Sequence, residues 1–71
     1  MNRIPVSSSN LVSIGYDAES KTLEIEFQNG SIFQYFNVPE RIYSGLMSAA
    51  SHGRYLNAYI KKGGFAFKQI N

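Results

Sequence analysis

The sequence predicts an α+β domain in which a three-stranded antiparallel meander precedes two helices packed on one of its faces. Apolar and polar residues alternate on both sides of Asn29-Gly30, a pattern typical of a β-hairpin. A similar alternating run comes shortly before it, and beyond Pro39 the apolar residues recur at helical spacing. The predicted elements are strands at about 10–16, 21–28 and 31–36, helices at about 39–50 and 52–62, and an extended C-terminal tail.

The opening segment, RIPVSSSN, has no regular period. Pro5 excludes a central strand because proline cannot donate a ladder hydrogen bond. We expect Ile4 and Val6 to lie against the sheet, over Ile32 or Phe36.

The first strand alternates and therefore sorts its side chains onto two faces. We predict these sets to be Val12, Ile14 and Tyr16 on one face and Leu11, Ser13 and Gly15 on the other. The glycine within the strand indicates a bulge or a close crossing by another segment. A polar turn, DAESK, then leads into the hairpin.

The register of the hairpin decides which side chains reach the core. A two-residue turn at the Asn-Gly dipeptide would pair Ile25 with Gln34 and leave an amide on the core face. A three-residue loop ending at Gly30 would pair Ile25 with Phe33 and send Gln34 to water. We favour the second register, which also makes Tyr35 a core residue.

The first helix is predicted to begin at Pro39, where the missing N–H costs nothing. Ile42, Leu46 and Ala50 form an apolar stripe at helical spacing. We expect this stripe to pack on the sheet.

The second helix is predicted to begin after Ser51, which can cap it. Its apolar face consists of two pairs of adjacent residues that lie one turn apart: Tyr55 and Leu56, then Tyr59 and Ile60. Lys61 and Lys62 complement the negative end of the helix dipole before two glycines end the helix. The tail, FAFKQI, alternates like a short strand and is predicted either to extend the sheet edge or to fold back over it.

Length and composition indicate one domain, residues 1–71, near the lower size limit for a hydrophobic core. There is no cysteine, so neither disulfides nor thiolate metal sites can stabilise it. No apolar run approaches the roughly 20 residues that span a bilayer, and the N-terminus does not resemble a secretion signal. We therefore expect a cytoplasmic protein.

The charges are unevenly distributed along the chain. Residues 1–40 hold all five acidic and only two basic residues, a net charge of −3, whereas residues 41–71 hold five basic and no acidic residues, a net charge of +5. Such asymmetry predicts a basic surface that could meet an anionic partner. A basic helix that binds nothing is the alternative interpretation.

Three motifs resemble a known family. They are PVSSSNLVSIGYD near the start, Phe33-Gln34-Tyr35 followed by NVP, and SHGRYLNAYI at residues 51–60. Their order is similar to that of the KTSC domain, named for its place at the C-terminus of some lysyl-tRNA synthetases and found as short single-domain bacterial and phage proteins. The likeness covers nearly the whole chain.

The resemblance implies an α+β domain of unassigned function, for which RNA binding has been suggested because of the synthetase attachment. Tyr35 matches the second tyrosine of the family's central Tyr-x-Tyr signature, and Phe33 replaces the first. This replacement implies that ring packing matters more than hydrogen bonding at position 33. The SHGRYLN segment matches the family's pattern before its final helix.

The candidate nucleic-acid-binding residues are selected by their chemistry. Cations suited to phosphates lie on the second helix, with two further residues at the margins: Arg54, Lys61 and Lys62, then His52 and Lys68. Tyrosines suited to base stacking are Tyr55, Tyr59 and, if the hairpin has the two-residue turn, Tyr35. In the alternative interpretation the tyrosines are core residues and the cations only keep the domain soluble.

No sequence pattern supports catalysis, because no nucleophile, base and oxyanion donor can be assigned together. We therefore expect a non-enzymatic module that binds RNA or another nucleic acid, with no cofactor, metal or small-molecule substrate. The competing hypothesis is a protein partner or a homodimer, bound through the sheet edge or the aromatic tail.

Overall fold

A five-stranded antiparallel sheet is the framework of the protein, seen in a computed structural model that describes residues 1–71. The strands are β1 (Ile4–Pro5), β2 (Leu11–Asp17), β3 (Thr22–Phe27), β4 (Ile32–Tyr35) and β5 (Phe67–Gln69), and they neighbour one another in that order. The helices, all between β4 and β5, are α1 (Glu40–Ser48), α2 (His52–Tyr55) and a π-helical segment (Leu56–Lys61). We call α2 and the π-helical segment together the second helix.

The α+β class and the central meander are confirmed, but the sheet has two more strands than predicted. Ile4 pairs with Ile14 and Pro5 with Ser13, so the proline lies in an edge strand. Ile4 is 51% exposed. The expectation that it covers Ile32 is wrong, because Ile32 belongs to β4, on the far side of β2 and β3.

The three-residue hairpin loop is confirmed. Ile25 lies opposite Phe33, and Gly30 has a φ of 90°, a left-handed conformation that glycine adopts without strain. Tyr35 is accordingly buried. Gln34, however, does not simply face water, since its amide donates to Glu24 Oε1 at 2.9 Å on the outer face of the sheet.

A β-bulge between Leu11 and Ser13 changes the faces of the first strand. Leu11 is fully buried in the core, whereas the alternation had placed it with Ser13 on the opposite face. The close crossing at Gly15 is confirmed: a β-carbon there would lie 2.8 Å from the carbonyl oxygen of Asn2. The bulge and the close crossing thus occur at different places in the same strand.

The first helix is two residues shorter than predicted at its C-terminal end. Ala49 has an extended backbone with ψ at 143°, and Ala50 is exposed rather than part of the apolar stripe. Leu46 is fully buried, as expected. Ser51 caps the second helix by accepting a hydrogen bond from the Arg54 N–H at 3.3 Å.

The core lies between the inner face of the sheet and the helices. Its buried members are Leu11, Ile14, Leu23, Ile25, Tyr35, Val38, Leu46, Leu56 and Ile60. The C-terminal tail extends the sheet edge, one of its two predicted positions, with Phe67 opposite Tyr35. Asn71 secures this strand, since its amide donates to the Gly30 carbonyl at 2.7 Å.

The outer face of the sheet carries a polar cluster. Arg3 pairs with Glu24 and lies 3.5 Å from Glu26, and Ser13 Oγ donates to Glu26 at 3.1 Å. The Glu24 residue is only 4% exposed. The N-terminal residues therefore cover part of this face.

Candidate functional site

An open cleft of about 910 Å³ lies between the second helix and strands β3 to β5. Its aromatic lining comes from the sheet: Phe27, Phe33, Tyr35 and Phe67. Its cations come from the second helix: Arg54 and Lys61. The remaining polar lining includes Asn57, the loop residues Ser9 and Asn10, and the hairpin turn. The cleft therefore combines flat apolar surface with positive charge.

The aromatic rings of the cleft form one contiguous group. The Phe33 ring lies edge-on to Phe27 at 5.9 Å between centroids, and Phe67 lies 6.1 Å from Phe33 and 5.8 Å from Tyr35. These separations are typical of favourable aromatic pairs. Phe67 is 61% exposed, so a large part of its ring is available to a ligand.

The two cations of the cleft have no acidic partner. Both ion pairs of the chain are made by Arg3, on the other side of the sheet. Arg54 is exposed, and Lys61 places its ammonium nitrogen 5.1 Å from the centroid of the Phe27 ring. Their charge is therefore free to interact with an anion.

The spacing of the second helix explains why these side chains meet. Arg54, Asn57 and Lys61 occupy positions i, i+3 and i+7, which lie on one face of a helix. Leu56 and Ile60 are buried against the core beside that face. Burial of these two apolar side chains therefore orients the polar face toward the cleft.

The most buried residue with a polar side chain in the lining of the cleft is Tyr35. The residue is 4% exposed, and burial raises the pKa of its phenol above the usual value. Its ring packs against Phe33 and Phe67, so neither face is open for stacking. Only its edge and hydroxyl group can contribute to the lining.

Comparison with known proteins assigns a family to this fold. The family model described as the KTSC domain matches residues 7–65. The chain belongs to the KTSC domain family. A crystal structure of a KTSC domain protein from Yersinia pestis has 46% sequence identity to it and a TM-score of 0.90, covering 99% of this chain and 97% of that one.

Other relatives show the KTSC domain both alone and within a larger enzyme. An uncharacterised protein of Stutzerimonas stutzeri is 37% identical over 71 residues, which is the full length of both chains. A lysine–tRNA ligase of Nostoc punctiforme is 38% identical over 63 residues, which cover 89% of this chain but only 11% of the ligase. The resemblance inferred from the three motifs is thus confirmed.

Three of the seven predicted site residues line the cleft of this KTSC domain: Arg54, Lys61 and Tyr35. The other four lie outside it. His52 Nδ1 is 2.8 Å from the Leu46 carbonyl oxygen, so it joins the second helix to α1. The rings of Tyr55 and Tyr59 contact each other at 4.6 Å, and Lys62 is exposed beyond the cleft.

Sequence reasoning missed four residues that line the cleft: Phe27, Phe33, Asn57 and Phe67. Phe33 was predicted to lie opposite Ile25 and Phe67 to lie in the tail, and the sequence leaves open whether that tail extends the sheet or folds back over it. Asn57 was detectable, since it shares a helix face with both cations.

No three His, Cys, Asp or Glu side chains of the KTSC domain are grouped so that they could hold a metal ion. None of its helices has the length and apolar character required to cross a bilayer. The cleft is accordingly the feature on which a functional interpretation can be built.

Proposed function

We propose that this KTSC domain is a non-enzymatic cytoplasmic module that binds single-stranded RNA in the cleft. The observation that carries the proposal is the meeting of an exposed aromatic ring, Phe67, with two unpaired cations, Arg54 and Lys61, around one cavity. Proteins that bind single strands combine these two features, with cations on the phosphates and aromatic rings under the bases.

Each group has a distinct role in this proposal. Arg54 and Lys61 neutralise phosphates from the second-helix side of the cleft. Phe67 offers a face on which a base can stack, because the residue lines the cleft and is 61% exposed. An unpaired strand is favoured over a duplex because only unstacked bases can turn toward an aromatic surface.

The relatives support an RNA ligand over other polyanions. Lysine–tRNA ligases of Nostoc punctiforme, Trichormus variabilis and a Nostoc species contain a segment 38–39% identical to this chain. The name of those enzymes states that they act on tRNA, and a domain joined to them would lie beside that substrate.

The test is the salt dependence of binding to a short single-stranded RNA, followed by fluorescence anisotropy. Each phosphate contact on a single strand contributes a slope of about −0.7 in a plot of log K against log salt. Arg54→Ala and Lys61→Ala should each make the slope shallower by about that amount. Arg41→Ala is the matched control, because Arg41 is exposed on α1 and lies outside the cleft.

A flat salt slope for the wild-type domain would overturn the proposal. So would a result in which both cleft variants bind like the Arg41→Ala control, because the phosphates would then contact some other surface. Loss of affinity without a change of slope would indicate that the two cations act only on the fold, and thermal denaturation of each variant checks this outcome.

A second candidate function is self-association through β5, and a specific observation favours it. This strand pairs only with β4, which leaves its other edge free, and the exposed Phe67 and Ile70 lie at this end of the sheet. Lys68 opposes pairing with a second copy, since charged edge residues discourage it. Sedimentation equilibrium distinguishes the two functions. Self-association would be supported if the molar mass rises from monomer to dimer with increasing protein concentration and the Ile70→Asp variant stays monomeric.

A further inference from the structure

Tyr35 has a hydroxyl group for which the fold supplies no partner. The residue is 96% buried, yet its hydroxyl makes no hydrogen bond within the chain. No side-chain oxygen or nitrogen is sealed from solvent without a partner, so the hydroxyl must reach the cleft that Tyr35 lines. Tyr16, by contrast, donates its hydroxyl to the Val38 carbonyl at 2.5 Å.

The position does not need a hydroxyl for packing. Phe33 stands two residues earlier on the same face of β4 and packs its ring against Tyr35 without any polar atom. A phenylalanine at position 35 would supply the same ring, so the hydroxyl adds only a hydrogen-bonding group that faces the cleft. The hydroxyl is therefore best explained by a ligand that occupies the cleft.

The protonation state of Tyr35 suits it to hydrogen bonding. Burial raises the pKa of the phenol, so the hydroxyl stays protonated at neutral pH. A neutral phenol can both donate and accept one hydrogen bond. Asn57 lines the same cleft and adds an amide donor and acceptor from the helix side.

We propose that the Tyr35 hydroxyl hydrogen-bonds the polar edge of an unpaired nucleobase held in the cleft. This inference rests on the proposed RNA-binding function and deepens it, because the site then reads the base as well as the backbone. Phosphate contacts by Arg54 and Lys61 carry no sequence information, whereas hydrogen bonds to base edges do.

The decisive variant is Tyr35→Phe, which removes one oxygen and keeps the ring. Its binding should be compared with that of the wild-type domain on four homopolymeric octaribonucleotides and on an abasic ribose-phosphate octamer. A typical net hydrogen bond corresponds to a change in affinity of about 3- to 10-fold. For Tyr35→Phe we expect a loss of affinity of this size for the preferred homopolymer and smaller differences in affinity among the four homopolymers. Its affinity for the abasic octamer should be unchanged.

The matched control is Tyr16→Phe, which removes a hydroxyl that bonds the fold rather than the cleft. It should lower the thermal midpoint and leave the ranking of the homopolymers unchanged, whereas Tyr35→Phe should not lower the midpoint. Equal affinities of the wild-type domain and Tyr35→Phe for every oligomer would overturn this inference alone. A wild-type domain that binds none of the oligomers would overturn the RNA-binding function and this inference with it.

Discussion

Replacing Glu24 by glutamine should destabilise the fold because its carboxylate is buried and balanced by specific partners. The side chain is 5% exposed, accepts a hydrogen bond from Gln34 at 2.9 Å and pairs with Arg3. Burial by itself raises the pKa of Glu24. The hydrogen bonds from Gln34 and Arg3, together with the Arg3 charge, outweigh burial and hold the pKa below its usual value.

The size of the effect follows from what the substitution leaves behind. Removing one member of a fully buried ion pair costs about 3–5 kcal/mol, because the other charge stays buried without compensation. Arg3 is 24% exposed and also lies 3.5 Å from Glu26, so it keeps some hydration and a second acidic partner. We therefore expect Glu24→Gln to lower the free energy of unfolding by about 2 kcal/mol at neutral pH.

The lowered pKa also fixes the direction of the pH dependence. The carboxylate of Glu24 contributes stability above the pKa of an unfolded glutamate, about 4.3, and loses it as the pH falls through the lower folded pKa. The wild-type domain should therefore lose more stability than Glu24→Gln between neutral pH and acid. The two proteins should converge at low pH.

Urea denaturation followed by circular dichroism between pH 2 and 7 measures both effects. At neutral pH the difference corresponds to a thermal midpoint lower by about 8–16 °C for a chain of this size. Glu19→Gln is the matched control, because Glu19 is exposed in the turn before β3 and forms no ion pair. A Glu24→Gln domain as stable as the wild type, or one with the same pH dependence, would refute the reasoning.

Three further substitutions test the packing and the cleft. Leu46→Ala removes a fully buried side chain and should cost about 2–5 kcal/mol in urea denaturation; a loss under 1 kcal/mol would contradict its core position. Gly45→Ala should destabilise the domain by about 1–3 kcal/mol, because the Tyr55 hydroxyl occupies the space of the new methyl group. This effect should outweigh the higher helix propensity of alanine, and a raised thermal midpoint would contradict it. Phe67→Ala should lower RNA affinity about 5- to 150-fold in anisotropy titrations, since base stacking is worth about 1–3 kcal/mol. It should change the thermal midpoint little, since the residue is 61% exposed. Unchanged RNA affinity would exclude Phe67 as a stacking surface.

The hairpin and both helices could be predicted because their signals are local. The Asn-Gly turn and the placement of Gln34 favoured the register that the structure has, with Ile25 opposite Phe33. The Ser51 cap and the apolar spacing after it placed the second helix to within a residue. In each case neighbouring residues alone determine the outcome.

Non-local pairing explains what the sequence could not show. The bulge that turns Leu11 into the core depends on β3, and β5 gains its position only by bonding to β4, more than 30 residues away. The periodicity of apolar residues does not show which strands will pair, because a strand edge can hydrogen-bond any segment that presents matching backbone groups.

By itself, the sequence determined the fold class, the family and the helix face that carries Arg54 and Lys61, and it favoured the correct one of two hairpin registers. Tertiary structure alone decided which aromatic residues face those cations and that the Tyr35 hydroxyl opens into the cleft without a partner. The physical reason is that alternation and helical spacing assign a residue to a face. The surroundings of that face depend on segments distant in the chain, which only the packed structure brings together.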